Sequence, residues 1–145
     1  MTFSTRTQAV DEINTVFLNA WTAALQDTSQ IKWENVSAVD TPPTDNTPWA
    51  RFTLRHTNSS ATSLTGVIGN RRYTRRGVIS AQLFQPIGSG LSGDTDLAKI
   101  VQEAFEGHTT AGGVIFRGVS INEIGSDGDF FQTNVVSFFE YDEIR

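Results

Sequence analysis

The sequence predicts an α+β domain: a mixed, mainly antiparallel sheet with two helices packed on it, in the order α-β-β-β-α-β-β. Three observations carry that expectation. Leu97, Ile100, Val101, Ala104 and Phe105 recur at i, i+3, i+4, i+7 and i+8, which sets every apolar residue of that stretch on one helical stripe. A second stripe of the same kind opens the chain. The remaining segments alternate with a period of two and are separated by turns rich in Gly and Pro, as strands are. Helices set apart from runs of strands, without repeated βαβ units, give helices on one sheet. At 145 residues the chain fits one domain, 1–145, that buries roughly two-thirds of its unfolded surface and needs neither disulfide nor metal to hold it.

Residues 5–26 read as the first helix. Val10, Ile13, Phe17, Ala20, Trp21 and Ala24 share one face, and Thr5 with Gln8 offers a capping box. Val16, Leu18 and Leu25 widen the apolar arc beyond one core contact. They are either rim positions or a subunit interface. Residues 27–48 form an irregular link, with a short strand at 31–36 that sets Ile31, Trp33 and Asn35 on one side. Pro42, Pro43 and Pro48 exclude a regular element after it. Residues 49–56 alternate as a strand, with Ala50, Phe52 and Leu54 facing in and Arg51, Thr53 and Arg55 facing out.

The polar segment 57–69 then reads as the start of a long hairpin arm, expected to be mobile over 57–76. Residues 58–63 contain one Ala and otherwise small polar side chains, too little apolar surface to offset backbone ordering at roughly 1–2 kcal/mol per residue. In 77–85, Ile79, Ala81 and Leu83 lie on one face, and Pro86 ends the strand because it has no amide hydrogen for a ladder. A turn through Gly88, Gly90 and Gly93 leads to the second helix, with Ser92 or Asp94 as cap and Gly107 as its left-handed stop. A strand at 114–124, bulged at Gly118, and a tight turn at 125–129 follow. The final strand, 130–141, has Val135, Val136, Phe138 and Phe139 apolar on both faces, the pattern of a strand covered on each side.

Composition removes many functions. There is no cysteine, so thiolate chemistry is excluded, and a net charge of −5 argues against a general nucleic-acid binder. No run approaches the ~20 apolar residues that span a bilayer and no charged-then-apolar leader opens the chain, so a soluble protein without a secretion signal is expected. His56 and His108 stand in no triad or ligand spacing, and Asp94/Asp96 and Asp127/Asp129 suit a helix start and a turn. No catalytic, cofactor or metal residue is therefore assigned. Gly88, Gly90 and Gly93 match G-x-G-x-x-G after a strand and before a helix, which leaves a small nucleotide-binding enzyme as an alternative in another class. Arg71, Arg72, Arg75 and Arg76 place four of the eleven basic residues within six positions. They form either a solvated, aggregation-resistant strand flank or a surface for phosphates or a partner's carboxylates, and they are the candidate contacts to a partner or to DNA.

Several stretches together resemble one family. The long first helix, W-x-R-F at Trp49–Phe52, R-R-G at Arg75–Gly77, L-F-Q-P-I-G-S-G at Leu83–Gly90, D-L-A-K-I at Asp96–Ile100, A-F-E-G at Ala104–Gly107 and F-F-E-Y-D-E at Phe138–Glu143 are similar to the tail terminator proteins of long-tailed bacteriophages and their minor tail protein relatives. The resemblance implies a structural virion protein without enzymatic activity or cofactor. It implies a ring, a homohexamer, that caps the tail tube at its head-proximal end, ends tube polymerisation and presents the surface for head attachment. The partners implied are other copies of the chain, the tail tube protein, head–tail connector proteins and passing DNA, with no membrane. The places implied are the virion tail and, during assembly, the host cytoplasm. Another head–tail joining or completion protein is the nearest alternative.

Overall fold

The structure, a computed structural model, describes residues 5–24, 30–33, 48–61, 67–88 and 90–145, with the side chains of 90–95 and 127 set aside. Its elements are α1 (Arg6–Ala23), β1 (Ile31–Trp33), β2 (Trp49–Ala61), β3 (Arg72–Pro86), α2 (Gly90–Phe105), β4 (Ile115–Asp127) and β5 (Phe130–Ile144). Class and order are those the sequence predicts. The five strands form one sheet in the order β1-β2-β3-β5-β4, in which β1 runs parallel to β2 and every other pair is antiparallel.

The first helix starts where its capping box places it. The Gln8 amide donates to Thr5 Oγ1 at 3.3 Å, and the Thr5 amide donates to Gln8 Oε1 at 3.0 Å, which satisfies two of the otherwise unpaired donors of the first turn. The helix ends at Ala23 with Ala24 as cap, short of the expected Gln26. Ala9, Ile13, Phe17, Ala20 and Trp21 are its buried residues, so the core face is turned slightly from the expected one and Val10 is only half-buried. The second helix starts earlier than expected, at Gly90. Gly90 to Gly93 are therefore helical and not a turn, and neither Ser92 nor Asp94 stands at its start. Gly107, at φ 71°, ends the element as expected.

The core lies between the helices and one face of the sheet. Ala50, Phe52, Ile79, Ala81, Leu83, Phe116, Val135 and Phe139 meet Ile13, Phe17 and Trp21 of α1 and Leu97, Val101 and Phe105 of α2. Phe52 stacks on Phe17 at 4.6 Å between ring centroids and on Phe105 at 6.2 Å, so one strand residue receives both helices. The opposite face carries no helix among the described residues. There Trp49, Phe84 and Phe130 form a small second cluster, Trp49 lying flat on Phe84 at 4.1 Å. The expectation that β5 is covered on both sides is corrected by this arrangement: Val135 and Phe139 are buried under the helices, whereas Phe138 on the other face is 60% exposed.

Beyond the helices the strands continue into the segment that the sequence pattern reads as a hairpin arm. Thr57 to Ala61 belong to β2, and Arg72 to Arg76 to β3, which pairs with β2 on one side and β5 on the other. The connection at 62–66 lies outside the described residues. The expected bulge in β4 is present, with Gly118 at φ 63° where the register with β5 shifts between Arg117 and Ser120.

A second irregularity, between His56 and Asn58 of β2, draws the backbone of Gly77 against its neighbours. A Cβ on Gly77 would lie 2.2 Å from the carbonyl oxygen of Arg55 and 2.4 Å from the ring of Phe139, both closer than contact allows. Gly77→Ala is therefore expected to destabilise the fold by about 2 kcal/mol or more, the cost of forcing an extra methyl into a packed site. A urea unfolding midpoint equal to that of the wild type would show that the strand pair yields at no cost.

Candidate functional site

The arginine cluster lies at one end of the central strand pair, and the register of that pair decides what it meets. In the β3–β5 ladder Arg76 lies opposite Glu140, Thr74 opposite Asp142 and Arg72 opposite Ile144, all on the face without helices. Arg75 and Tyr141 face each other on the helix side. Each of three arginines finds a carboxylate of β5. Arg72 donates Nε and Nη2 to Asp142 Oδ2 at 3.0 and 2.5 Å, and Asp142 Oδ1 accepts the Thr74 hydroxyl at 2.7 Å. Arg75 donates Nε and Nη2 to Glu143 Oε1 at 3.2 and 2.8 Å, and also reaches Ser59 Oγ across β2. Arg76 pairs with Glu140 at 3.3 Å, and Arg117 of β4 donates to the same carboxylate at 3.2 Å. Arg71 closes the ladder through its main chain, exchanging amide and carbonyl bonds with Arg145.

This is a ribbon of four guanidiniums against three carboxylates, spread over three strands. Such pairs, partly open to water, contribute at most about 1 kcal/mol each. Their larger effect is on register: a one-residue slip would carry every arginine of β3 to the opposite face and away from its acid. The acids lie some 70 positions along the chain from the arginines, and the signal that could have paired them is the shared alternation. Glu140 and Asp142 fall on one face of F-F-E-Y-D-E and Glu143 on the other, just as Arg72 and Arg76 are set apart from Arg75.

Beside the ribbon, on the helix side, sequence reasoning missed a polar pair. His56 Nε2 and the hydroxyl of buried Tyr141 are 2.8 Å apart, and both rings stand near Phe139, with His56 edge-on to it and Tyr141 parallel to it. Burial, then Arg6 and Arg75, hold the imidazole below its usual 6.5, with Glu143 acting in the other direction. Burial and then Glu143 push the Tyr141 phenol above 10.0, with Arg6 and Arg75 opposing. Both groups are thus neutral near pH 7, and their bond is a neutral one.

The other candidates lie apart from one another. His108 is exposed and stacks on Phe116, whereas His56 stands against Phe139, and among the described residues no group of three His, Asp or Glu could hold a metal ion. Gly88 precedes α2 at φ 111°, but β3 is flanked by two antiparallel strands, so the adjacent parallel strands of a dinucleotide crevice are not beside it. Of the apolar arc on α1, Val16 packs half-buried against the core, Leu18 is 36% exposed, and Leu25 lies outside the described residues. No described helix is long and apolar enough to cross a membrane.

Comparison with known proteins supplies what this geometry lacks. A family model described as phage tail terminator protein matches residues 13–126, more than three-quarters of the chain, from within α1 into β4. It takes in the arginines of the ribbon and ends before their carboxylates. One solved structure, 19% identical, aligns over 90% of this chain and 94% of its own with a TM-score of 0.60, a likeness of fold. Comparison with curated proteins gives no match.

The lowered pKa of His56 fixes the sign of one pH effect. The unfolded chain takes up this proton first on acidification, so the stability contribution is complete above about 6.5 and is lost as the pH falls through the lower folded value. The urea midpoint should fall over that window in the wild type and fall less in His56→Gln, which keeps a polar partner for Tyr141 without an imidazole. Equal slopes in the two proteins would remove His56 as the cause.

Proposed function

The chain belongs to the phage tail terminator family, structural proteins of the virion tail, and from that membership we propose that it caps the tail tube at its head-proximal end. In this reading it ends tube polymerisation, provides the surface for head attachment, and acts as a ring of identical copies, a homohexamer put together on the tube in the host cytoplasm. The family match over residues 13–126 carries the proposal. The surfaces agree with it. A one-sided sheet leaves a face bearing Phe138, and the first helix leaves Leu18, both apolar and open to a neighbour. A ring needs a head-to-tail contact that joins two different patches and closes. The apolar arc of α1, Val16, Leu18 and Leu25, is the proposed subunit contact. The ribbon of Arg71, Arg72, Arg75 and Arg76 is the proposed contact to the tube, to a head connector or to passing DNA.

Negative-stain images of tail tubes incubated with the protein test the reading directly: rings are expected at one end of each tube, and tubes that continue to lengthen without rings would reject it. Leu18→Glu is expected to reduce ring occupancy by at least about tenfold, since it buries a charge in the proposed contact. Normal occupancy would move the subunit contact elsewhere.

The ion pairs of the ribbon change how it must be tested. Arg76→Glu alone would set Glu opposite Glu140, confusing loss of register with loss of contact. Because Arg117 shares the Glu140 carboxylate, the exchanged triple variant Arg76→Glu and Arg117→Glu with Glu140→Arg restores both pairs and reverses the surface pattern. It is expected to unfold like the wild type yet complete few infectious tails. A normal yield of infectious particles would leave the ribbon as an internal register clamp.

A further inference from the structure

Where β2 and β5 run past the start of α1, a cavity of about 440 Å³ opens, lined by Arg6, Arg75 and Arg145, by Glu143, and by His56 and Tyr141 beside Thr57, Asn58 and Ser59. Its side chains bring three guanidiniums against one carboxylate. Arg75 is already committed to Glu143 and Ser59. The guanidiniums of Arg6 and Arg145, by contrast, form no ion pair or side-chain hydrogen bond among the described residues. Asn58, Thr57 and Ser59 add donors in a row at the rim.

We propose that this cavity is a carboxylate-binding site that takes an acidic segment of a protein partner, with Arg6 and Arg145 as its ion partners and the Arg75–Glu143 pair ordering the floor. The site belongs to the folded subunit, so it stands independently of the assembly reading above. The excess of guanidiniums over carboxylates in the lining favours an anion. A protein carboxylate is preferred over the phosphates of a nucleic acid because of the charge of the whole chain. The chain as a whole carries −5, and binding to nucleic acid rests mainly on neutralising many phosphates with a basic surface. Arginine's planar fork suits a carboxylate in two-bond geometry, and the volume exceeds one carboxyl group, leaving room for the stem that carries it.

The site contains its own reporter. Arg6, Arg75, Tyr141, Glu143 and Arg145 are the charged or titratable groups around His56, and an anion seated among them offsets Arg6 and Arg75, which add to burial in lowering the imidazole pKa. Its titration midpoint must then rise. His108, on the loop after α2 and outside this cavity, is the internal control. The experiment is an NMR titration of both imidazoles in the wild type, with tetraglutamate peptide, inorganic phosphate or a short single-stranded oligonucleotide added at low ionic strength. The peptide is expected to raise the His56 midpoint and leave that of His108 unchanged. Arg6→Gln with Arg145→Gln is expected to weaken the effect at least about tenfold, as loss of two charge contacts should. Circular dichroism of that variant should match the wild type, because the Thr5–Gln8 capping box is untouched. No movement of His56 at millimolar peptide, or equal movement in the double variant, would overturn the proposal. So would a stronger response to the oligonucleotide, which would make this a nucleic-acid contact, or an equal response to phosphate, which would reduce it to an adventitious ion site only.

Discussion

Phe52 holds the two layers of this protein together. Its ring lies between Phe17 of α1 and Phe105 of α2, near parallel to both, at 4.6 and 6.2 Å. From that stack contacts spread to the sheet edges: Phe17 meets Trp33 of β1 edge-on, and Phe105 meets Phe116 of β4. Each ring buries roughly 150–250 Å² of apolar surface, worth several kcal/mol at about 25 cal/mol per Å², so the stack outweighs every ion pair in the fold. Both helices are fixed to the same face of the sheet because both must reach the same residue.

That one-sided arrangement accounts for much of what the surface shows. With the helices concentrated over Phe52 and its neighbours, the far ends of β2, β3 and β5 run beyond them, and alternation of apolar and polar residues gives way to alternation of arginine and carboxylate. Main-chain pairing on both sides of β3 holds this extension, while Arg72–Asp142, Arg75–Glu143 and Arg76–Glu140 specify its register. Gly77 marks the change from one regime to the other, its backbone pressed between Arg55 and Phe139 where no side chain fits. The same extension builds the cavity around His56 and Tyr141, because strands that outrun their covering helix leave a concave edge.

A structural tail protein acts through surfaces and needs no reacting groups, and the distribution of charge here suits that. The four arginines are not a free basic patch. Three of them are bound to acids of the same subunit, so any contact made by the ribbon must recognise a patterned, nearly balanced surface, where shape and placement matter more than attraction at a distance. Arg6 and Arg145 lie to one side of it, around the cavity at His56.

The sequence by itself determined the class, the order of elements and the faces of most of them. Periodicity is local, so Ile13, Phe17 and Trp21 on one stripe, Ile79, Ala81 and Leu83 on one strand face, the Thr5–Gln8 cap and the bulge at Gly118 could all be read without knowing what they pack against. The family motifs were legible in the same way. What only the tertiary structure decided was pairing between distant segments. No local pattern stated that β5 would insert between β3 and β4, so the carboxylates at 140–143 could not be assigned to arginines at 72–76, nor His56 to Tyr141. The apolar run of β5 was misjudged for the same reason. Val136 and Phe138 look like core on a strand considered alone, and it is the placement of both helices on the opposite face that leaves Phe138 in water.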